Sequence, residues 1–387
     1  MKQLSFYIKD TKHGRLLRHE SMKSSFSCKV LGTTIINNGY VLLSKAWHGG
    51  QCDGGVTDAD HNYISSTGYT STAGCGYEFN DKDVELVNKK CIFIGSIHPV
   101  YGHAITDTLR KLWFLKTDKG QRFIEEEGYI VTFITTKNSE LPQWQMKIFD
   151  LAGIDSSILV HIRETTQFKT IIVPDDSLFS ENNIIEYTKE FRSTIDEIKN
   201  NALKKSLAIK SYPENLYFTR ENCSLLIREM GEPYIENIFK EQGFTIVAPE
   251  TYPIEEQIAM LVHCKRFAAT ESSCSHAAIF CNKDCEVIIL RKADYVNKYS
   301  LMIADFVGNN TVFVDANQSI RTNPTYPMIG PFFMCVTSEL QHYLNTSKTY
   351  SVGAKFLFLI YNHANKKPIH YAIRAYDKFI RRGLLRS

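Results

Sequence analysis

The chain has 387 residues, and 43% of them are hydrophobic, which fits a folded protein with room for two domains. Its 45 basic and 42 acidic side chains leave a formal charge of +3, which excludes a uniformly basic nucleic-acid-binding protein. The sequence has no apolar run of about 18 residues and no signal-peptide core near its start, so we expect a cytoplasmic protein. Ten scattered cysteines predict reduced thiols rather than a disulfide framework.

The first half of the chain begins with a β-rich segment and then alternates strands with helices. Residues 26–80 mix short apolar runs with Gly, Asn, Asp and Ser clusters, which is the pattern of hairpins. From Cys91 the alternation of strands and helices predicts a parallel sheet built from βαβ units. The predicted strands are 91–97, 129–135, 158–162 and 169–173, and the predicted helices are 102–116, 142–152 and 181–208.

A Pro-containing break, SYPEN, precedes a second alternation of strands and helices. The predicted strands are 215–220, 244–249, 266–270 and 286–291, and the predicted helices are 224–242, one from Pro253 and one from about Ser273. We therefore predict an N-terminal α/β domain over 1–210, a second domain over 211–330 and a basic helical tail over 331–387. The fold class is α/β, with two Rossmann-like domains facing a cleft and ligands beyond the carboxyl ends of the strands.

The first candidate site is the turn HPVYGHAITDTLRKLWFL, which follows the predicted strand 91–97. His103 and Asp107 are four residues apart, so on a helix they share one face, away from the apolar positions. An imidazole or carboxylate beside a strand's carboxyl end suits a general base. Alternatively, Asp107 complements the helix dipole and His103 caps the turn.

The second candidate site is the turn AATESSCSHAAIF, which follows the predicted strand 266–270. Ser hydroxyls and free backbone N–H groups at a helix start are an ordinary way to hold phosphate, although the glycines of a Walker loop are absent. Arg220 at the end of NLYFTR can supply a cation for that phosphate. Arg228 and Glu232, which are four residues apart, either belong to the same donor site or form a helix-surface ion pair.

Two sets of residues have the appearance of metal ligands. Asp58 and Asp60 form a DxD sequence, but they lie in a turn-like stretch where Asp and Asn are structural. The set Cys274, His276, Cys281 and Cys285 lacks the spacing of a known zinc site. We therefore predict no bound metal.

An ordered series of motifs resembles glycosyltransferase family 61, including its bacterial capsular-polysaccharide members. The series runs over about residues 91–292 and consists of GHAITDTLRKLW, NLYFTREN, IREMGEPYIENIFKEQGFTIVAPETYPIEEQIAML and ATESSCSHAAIFCNKDCEVIILR. The residues of this chain that align with the family's motifs are His103, Asp107, Lys111, Arg220, Arg228, Glu232, Gln257, Ser273, His276 and Phe280. The chain departs from the pattern at Arg110-Lys111, where the family has Pro-Arg, and at Gly231, Ser272 and Ala277.

The resemblance implies a GT-B fold and an inverting sugar transfer that uses no metal and no cofactor. The base would be Asp107 or His103. The nucleotide-sugar donor would contact Arg220, Arg228, Glu232, Gln257, Ser272, Ser273, Ser275 and His276. The acceptor would be a glycan or a lipid-linked glycan, and nucleic acid is not an expected partner. The altered Gly231, Ser272 and Ala277 also allow a catalytically inactive sugar-nucleotide or glycan-binding partner. A pyruvyl-type polysaccharide transferase, which shares the GT-B architecture, is a further alternative.

The tail of the chain is strongly basic. From Lys355 onward eight Lys and Arg residues stand against the single acid Asp377. Aromatic and apolar residues among these cations favour an interfacial helix on an anionic membrane face, and a solvated terminal helix is the alternative.

Overall fold

The computed structural model describes residues 3–48, 51–68, 74–206, 211–220, 229–317 and 332–347. Its strands are β1 (Gln3–Tyr7), β2 (Thr33–Asn37), β3 (Tyr40–Leu42), β4 (Trp47–His48), β5 (Gln51–Asp53), β6 (Gly55–Thr57), β7 (Gly74–Cys75), β8 (Glu85–Ile97), β9 (Ile130–Thr135), β10 (Leu159–His161), β11 (Thr166–Pro174), β12 (Leu178–Glu181), β13 (Ile184–Tyr187), β14 (Asn215–Phe218), β15 (Glu229–Met230), β16 (Thr245–Val247), β17 (Arg266–Thr270), β18 (Glu286–Arg291), β19 (Asn310–Asp315) and β20 (Phe332–Phe333).

The helices are mostly short. They are α1 (Lys12–Glu20), α2 (Tyr101–Ala104), α3 (Asp118–Glu125), α4 (Gln143–Leu151), α5 (Lys189–Lys205), α6 (Glu232–Glu241), α7 (Ile254–His263), α8 (Ser273–His276), α9 (Lys298–Val307) and α10 (Ser338–Leu344). Turns of 3₁₀ helix lie at Ser65–Thr67, Asp81–Asp83, Asp107–Leu109, Leu112–Lys116, Thr136–Asn138, Ser156–Ile158, Pro249–Thr251 and Ala277–Phe280. Across the ranges that the structure describes, no helix has both the length and the apolar character needed to cross a membrane.

The chain divides into two compact units. The central unit is Ser25–Leu207, and the terminal unit combines Met1–Ser24 with Ala208–Ser387. The sequence analysis assigns residues 1–24 to the N-terminal domain, whereas here they belong with the C-terminal part of the chain. The reason is β1, which pairs in parallel with β19 from Gln3 opposite Asn310 to Tyr7 opposite Val314.

The central unit is built on a mixed sheet with the strand order β10-β9-β8-β11-β3-β6, and β2 also pairs with β11. The four strands from β10 to β11 in this order are parallel, whereas β2, β3 and β6 pair in antiparallel fashion. Among the parallel strands, the chain starts at β8, moves outward through β9 to β10 and returns to the other side of β8 as β11. The strand order therefore reverses between β8 and β11, which is where open α/β sheets place their ligands.

The terminal unit contains a parallel sheet with the order β1-β19-β18-β17-β14-β16. From β14 the chain adds β16 on one side and then β17, β18 and β19 on the other. The order therefore reverses between β14 and β17. Apolar residues of these strands and of α6 and α10 form the core; it includes Tyr217, Ile235, Ile288, Val312 and Leu340.

The predicted helix over 102–116 is wrong as a continuous element. It is broken into α2 and two 3₁₀ turns, although Ile105, Leu109 and Leu112 are buried. The Thr106 hydroxyl donates a hydrogen bond to the Gly102 carbonyl at 2.7 Å, and such bonding competes with the helical ladder.

The predicted helix over 181–208 is correct only in its second part. Its start is a hairpin, because β12 and β13 pair in antiparallel fashion around Asn182 and Asn183. Both of these residues have positive φ, 48° and 67°, as a two-residue type I′ turn requires. Helix α5 then begins at Lys189.

Two predicted segments lie partly outside the described residues. Of the predicted helix over 224–242 the structure describes α6, and residues 221–228, including Arg228, lie outside its description. The basic part of the predicted tail, over 348–387, also lies outside. The described start of that tail belongs to the terminal unit, since Leu340 of α10 is fully buried in its core.

Position 231, where the sequence departs from the family pattern, has a backbone conformation that favours glycine. Its φ is 88°, and a Cβ atom there would meet the Met334 carbonyl oxygen at 2.1 Å. We predict that Gly231→Ala lowers the free energy of unfolding by about 2 to 3 kcal/mol. The matched control is Gly308→Ala, where φ is 66° and a Cβ meets nothing within 4 Å, with an expected loss of about 1 kcal/mol.

Urea unfolding followed by circular dichroism measures both variants. Equal losses for Gly231→Ala and Gly308→Ala would show that the close approach to Met334 contributes nothing beyond the left-handed backbone.

Candidate active site

The turn after β8 brings His103 and Asp107 into direct contact. His103 Nδ1 lies 2.7 Å from Asp107 Oδ2, and the same oxygen accepts a hydrogen bond from the Thr106 hydroxyl at 3.2 Å. Asp107 is 7% exposed, whereas the His103 side chain is 32% exposed. The carboxylate is therefore the inner member of the pair and the imidazole is the outer one.

This contact fixes the proton arrangement of His103. An ionised carboxylate can only accept, so the Nδ1 hydrogen of His103 points to Asp107 and the lone pair of the neutral ring is on Nε2. A protonated His103 would also be stabilised by the negative charge of Asp107. The pair can thus take up a proton at Nε2 and hold the resulting charge.

His98, the residue that follows β8, packs against this pair. Its ring lies over the His103 ring with centroids 5.3 Å apart and an angle of 23°. Burial, together with the neighbouring His103, lowers the pKa of His98 to about 4. His98 is therefore neutral at pH 7.

A buried charge cluster, which the sequence analysis missed, lies where β11 ends. Arg110 Nε and Lys111 Nζ lie 3.0 and 2.7 Å from Asp176 Oδ1. Lys111 Nζ also donates to the Pro174 carbonyl at 2.6 Å, and burial lowers its pKa. Since Lys111 is fully buried, we assign it a structural role at the end of β11.

In the terminal unit, Arg220 and Ser272 follow neighbouring parallel strands. Phe218, the last residue of β14, is opposite Ala269, and β17 ends at Thr270. Arg220 and Ser272 thus each lie two residues beyond the end of a strand, at the point where the strand order reverses. Arg220 and Ser272, which come from two separate sequence motifs, therefore lie at one edge of this sheet.

The serines of this turn are engaged in capping the short helix α8. The Ser272 hydroxyl accepts from the Cys274 N–H at 3.3 Å and donates to the Thr270 carbonyl at 3.0 Å. The Ser275 hydroxyl donates to the Ser272 carbonyl at 2.8 Å. The described contacts of Ser272 and Ser275 are therefore those of a tight turn with a capped helix. Ser273 is half-buried.

His276, at the end of α8, packs on an aromatic ring of the next helix. Its ring centroid lies 5.4 Å from that of Tyr299 in α9. This contact joins the end of α8 to α9.

Glu232 and Gln257 make structural contacts. Glu232 is buried, and its Oε1 accepts from the hydroxyls of Tyr217 at 3.3 Å and Thr270 at 3.2 Å. Gln257 Nε2 donates to the Tyr252 carbonyl at 2.9 Å. Glu232 thus ties the ends of β14 and β17 to the start of α6, and Gln257 holds the loop before α7.

Glu271 lies within the turn AATESSCSHAAIF, but the sequence did not identify it as a candidate residue. It is fully buried directly after β17, and burial raises its pKa to about 7, against the opposing effect of Arg291 and Lys292. Arg291 at the end of β18 is itself fully buried and lies 2.5 Å from Asp315 Oδ1. The small residues that follow Glu271 draw attention in the sequence, but burial of a carboxyl leaves no sequence signal.

The raised pKa of Glu271 predicts a pH-dependent stability. The folded protein keeps this proton up to about pH 7, whereas the unfolded chain releases it near the ordinary value of 4.5. Glu271 therefore makes its full contribution to the free energy of unfolding below pH 4.5. As the pH rises from 4.5 to about 7, that free energy falls by about 3 kcal/mol. We predict that Glu271→Gln removes this part of the decline.

Urea unfolding at several pH values between 5 and 8 measures the effect. Glu250→Gln, which changes an exposed carboxyl of the same unit, is the control and should keep the decline of the unchanged protein. The prediction would be contradicted if the free energy of unfolding fell with pH as steeply in Glu271→Gln as in Glu250→Gln.

The DxD sequence is a structural turn. Asp58 Oδ1 accepts from the backbone N–H groups of Asp60 at 2.9 Å and Asn62 at 2.8 Å. Asn62 Nδ2 also donates to Asp58 Oδ2 at 3.0 Å, and this side-chain bond, followed by the backbone bond from Asn62, lowers the pKa of Asp58. The carboxylate thus closes its own loop, as Asp does in an Asx turn.

A different group of residues can hold a metal ion. The sulfur atoms of Cys264, Cys281 and Cys285 all lie within 4.8 Å of one another and are buried. Of the four candidate zinc ligands in the sequence, Cys281 and Cys285 belong to this group. Cys274 and His276 do not. Hydrogen bonds from Cys281 and then Cys285 lower the pKa of Cys264 to about 5.

Comparison with known proteins gives one family. The family model described as Glycosyltransferase 61 matches residues 101–288, slightly less than half of the chain. The matched range begins in the turn that carries His103 and Asp107 and ends within β18, so it includes the candidate residues of both units. No curated protein matches the chain. The family match supports glycosyltransferase activity, and over this range the chain is similar to glycosyltransferase family 61.

Proposed function

We propose that the protein is an inverting glycosyltransferase that moves a sugar from a nucleotide-sugar donor to a glycan acceptor in bacterial capsular or other cell-surface polysaccharide biosynthesis. The contact that carries the proposal is the 2.7 Å pair of Asp107 and His103 beyond the carboxyl end of β8. The family match supports the class of reaction. The proposal includes a GT-B layout with two Rossmann-like domains, the first supplying the base and the second holding the nucleotide.

His103 is the general base in this proposal, and Asp107 orients it. The acceptor hydroxyl gives its proton to His103 Nε2 while its oxygen attacks the anomeric carbon. The bond from that carbon to the diphosphate oxygen breaks, and the leaving group departs from the opposite face, which inverts the configuration. Asp107 is too buried to reach an acceptor itself, and its charge stabilises the imidazolium that forms.

The leaving diphosphate is held by cationic and polar groups of the terminal unit rather than by a metal. Arg220 supplies a charged planar donor set beyond β14, and the Ser272–Ser275 turn lies beyond the neighbouring strand β17. Glu232 and Gln257 support this edge through their structural contacts. Arg228 and His276 remain donor-site candidates of the proposal.

The base assignment predicts large rate effects. We expect Asp107→Asn and His103→Ala each to lower kcat about 10² to 10⁴-fold, since a general base contributes that factor and the wrong tautomer removes it. Asp81→Asn is the matched control, because Asp81 Oδ1 lies 3.0 Å from His61 Nε2 in an exposed His–Asp pair of the same unit. Steady-state transfer assays with folded variants measure kcat. Near-normal rates in both variants would exclude this dyad from the reaction.

The role of Arg220 predicts a specific failure of lysine to replace it. Arg220→Lys should lower kcat about 10²-fold even at saturating donor, because lysine is a point charge and cannot make the bidentate contact to phosphate. Arg266→Lys, at the start of β17 in a pair with Glu286, is the control and should retain the rate. A rate for Arg220→Lys within twofold of the unchanged protein would refute the phosphate contact.

The alternative functions are separated by the ligand that stabilises the protein. A screen of UDP-, GDP- and CMP-linked sugars by thermal unfolding identifies the donor, because binding to the folded state raises the midpoint. Stabilisation without transfer to any glycan would favour an inactive binding partner. Stabilisation by phosphoenolpyruvate instead would favour a pyruvyl-type transferase.

The cellular setting is part of the same proposal. Assembly of surface glycans on lipid carriers would place the enzyme in the cytoplasm, with the basic residues 355–386 against an anionic membrane face. Sedimentation with anionic liposomes, with and without residues 370–387, tests this adherence.

A further inference from the structure

Three buried thiols meet at the amino ends of two neighbouring strands. Cys264 follows α7 and precedes β17, and Cys281 and Cys285 lie in the loop before β18. The Sγ atoms of Cys264 and Cys285 are 3.7 Å apart, and all three sulfurs lie within 4.8 Å of one another. Each of the three residues is at most 4% exposed.

Backbone contacts hold the two cysteine-bearing loops together. Strands β17 and β18 pair in parallel from Arg266 opposite Glu286, so Cys264 and Cys285 stand just before paired positions. The Glu286 N–H donates to the Lys265 carbonyl at 2.8 Å, and Asn282 Nδ2 donates to the Val262 carbonyl at 2.8 Å. The sheet therefore positions the thiols without help from a ligand, which lowers the entropy that binding would cost.

The spacing of the sulfurs fits a single thiophilic ion. Tetrahedral zinc with bonds of about 2.3 Å to sulfur has its thiolates about 3.8 Å apart, close to the spacing of Cys264 and Cys285. Thiolate ligands select Zn²⁺ and other soft cations over Mg²⁺ and Ca²⁺. A disulfide requires about 2.05 Å between two sulfurs and leaves the third thiol unused.

We propose that Cys264, Cys281 and Cys285 form a structural binding site for a thiophilic metal ion such as Zn²⁺. Within the described residues no His, Asp, Glu or further Cys completes the group. Coordination replaces thiol protons, which pass to solvent, so affinity falls as the pH is lowered. The ion would clamp the loop before β17 to the loop before β18.

This site is separate from the proposed transfer reaction. Arg220 and Ser272 lie beyond the carboxyl ends of the sheet strands, whereas the thiols lie at the amino ends. The ion would act on stability, and the proposed reaction does not use it. Failure of the metal site would therefore leave the proposed function untouched, and the reverse also holds.

Metal content and metal-sulfur distances test the site on the full-length protein. The chain is loaded with Zn²⁺ under reducing conditions, dialysed and measured by elemental analysis. We expect about one ion per chain, with sulfur neighbours at about 2.3 Å in the zinc absorption spectrum. In Cys285→Ser and in Cys264→Ser the bound zinc should fall at least tenfold.

Cys335→Ser is the matched control, because Cys335 is a buried thiol of the same unit outside the cluster, and it should retain the ion. Zinc should also raise the thermal midpoint of the unchanged protein and of Cys335→Ser but not that of Cys285→Ser. The absorption spectrum is recorded on the unchanged protein, so it decides the matter even if a cysteine variant does not fold.

Three outcomes would overturn the proposal. One is zinc bound at well below one ion per chain, and another is equal zinc retention by Cys285→Ser and Cys335→Ser. The third is a protein purified without reductant that, after alkylation under denaturing conditions, carries two alkyl groups fewer than the reduced and alkylated protein, which would identify a disulfide in place of the metal site.

Discussion

The parallel ladder between β14 and β17 is the contact on which the candidate donor site depends. Because Phe218 is opposite Ala269, the residues that follow both strands reach the same edge of the sheet. A slip of two residues would move one strand by about 6.6 Å and separate Arg220 from the Ser272 turn. In the central unit the pairing of β8 with β11 has the same effect for His103 and the buried Asp176. Register in the two sheets thus determines which side chains can act together.

Buried charge is concentrated at these strand ends. Lys111 and Asp176 in the central unit, and Arg291 and Asp315 in the terminal unit, are ion pairs removed from water. Such pairs cost desolvation energy that apolar residues of similar volume would avoid, so they are poor devices for stability alone. The contacts of Arg110 and Lys111 with Asp176 join the segment after β8 to the segment after β11. Glu271, which is held neutral by burial until about pH 7, lies at the same edge.

Several strands could be predicted from sequence because their signals are local. Apolar runs identified β9, β17 and β18 closely. The spacing of four between His103 and Asp107 predicted a shared face, and the two side chains are in contact. The continuous helix over 102–116 could not be excluded, since its apolar periodicity does not reveal that Thr106 bonds to Gly102. The remaining features depend on tertiary contacts. Glu232 stands four residues from Arg228, as in a helix-surface ion pair, but it is buried between the ends of β14 and β17. The cysteine cluster needed the register of β17 and β18, which no spacing along the chain supplies.

The N-terminal strand has a consequence for the order in which the chain can fold during synthesis. Strand β1 completes a sheet whose neighbouring strand, β19, ends at Asp315, and the Lys9 N–H donates to the Asp315 carboxylate at 2.8 Å. Residues 25–207 can become compact on the ribosome as soon as they emerge, whereas the first 24 residues must wait for partners made some 300 residues later. The large loop that this closure requires makes the joining of β1 a late and slow step. The nascent protein therefore carries β1 without its partner strand until residues 310–315 have been made.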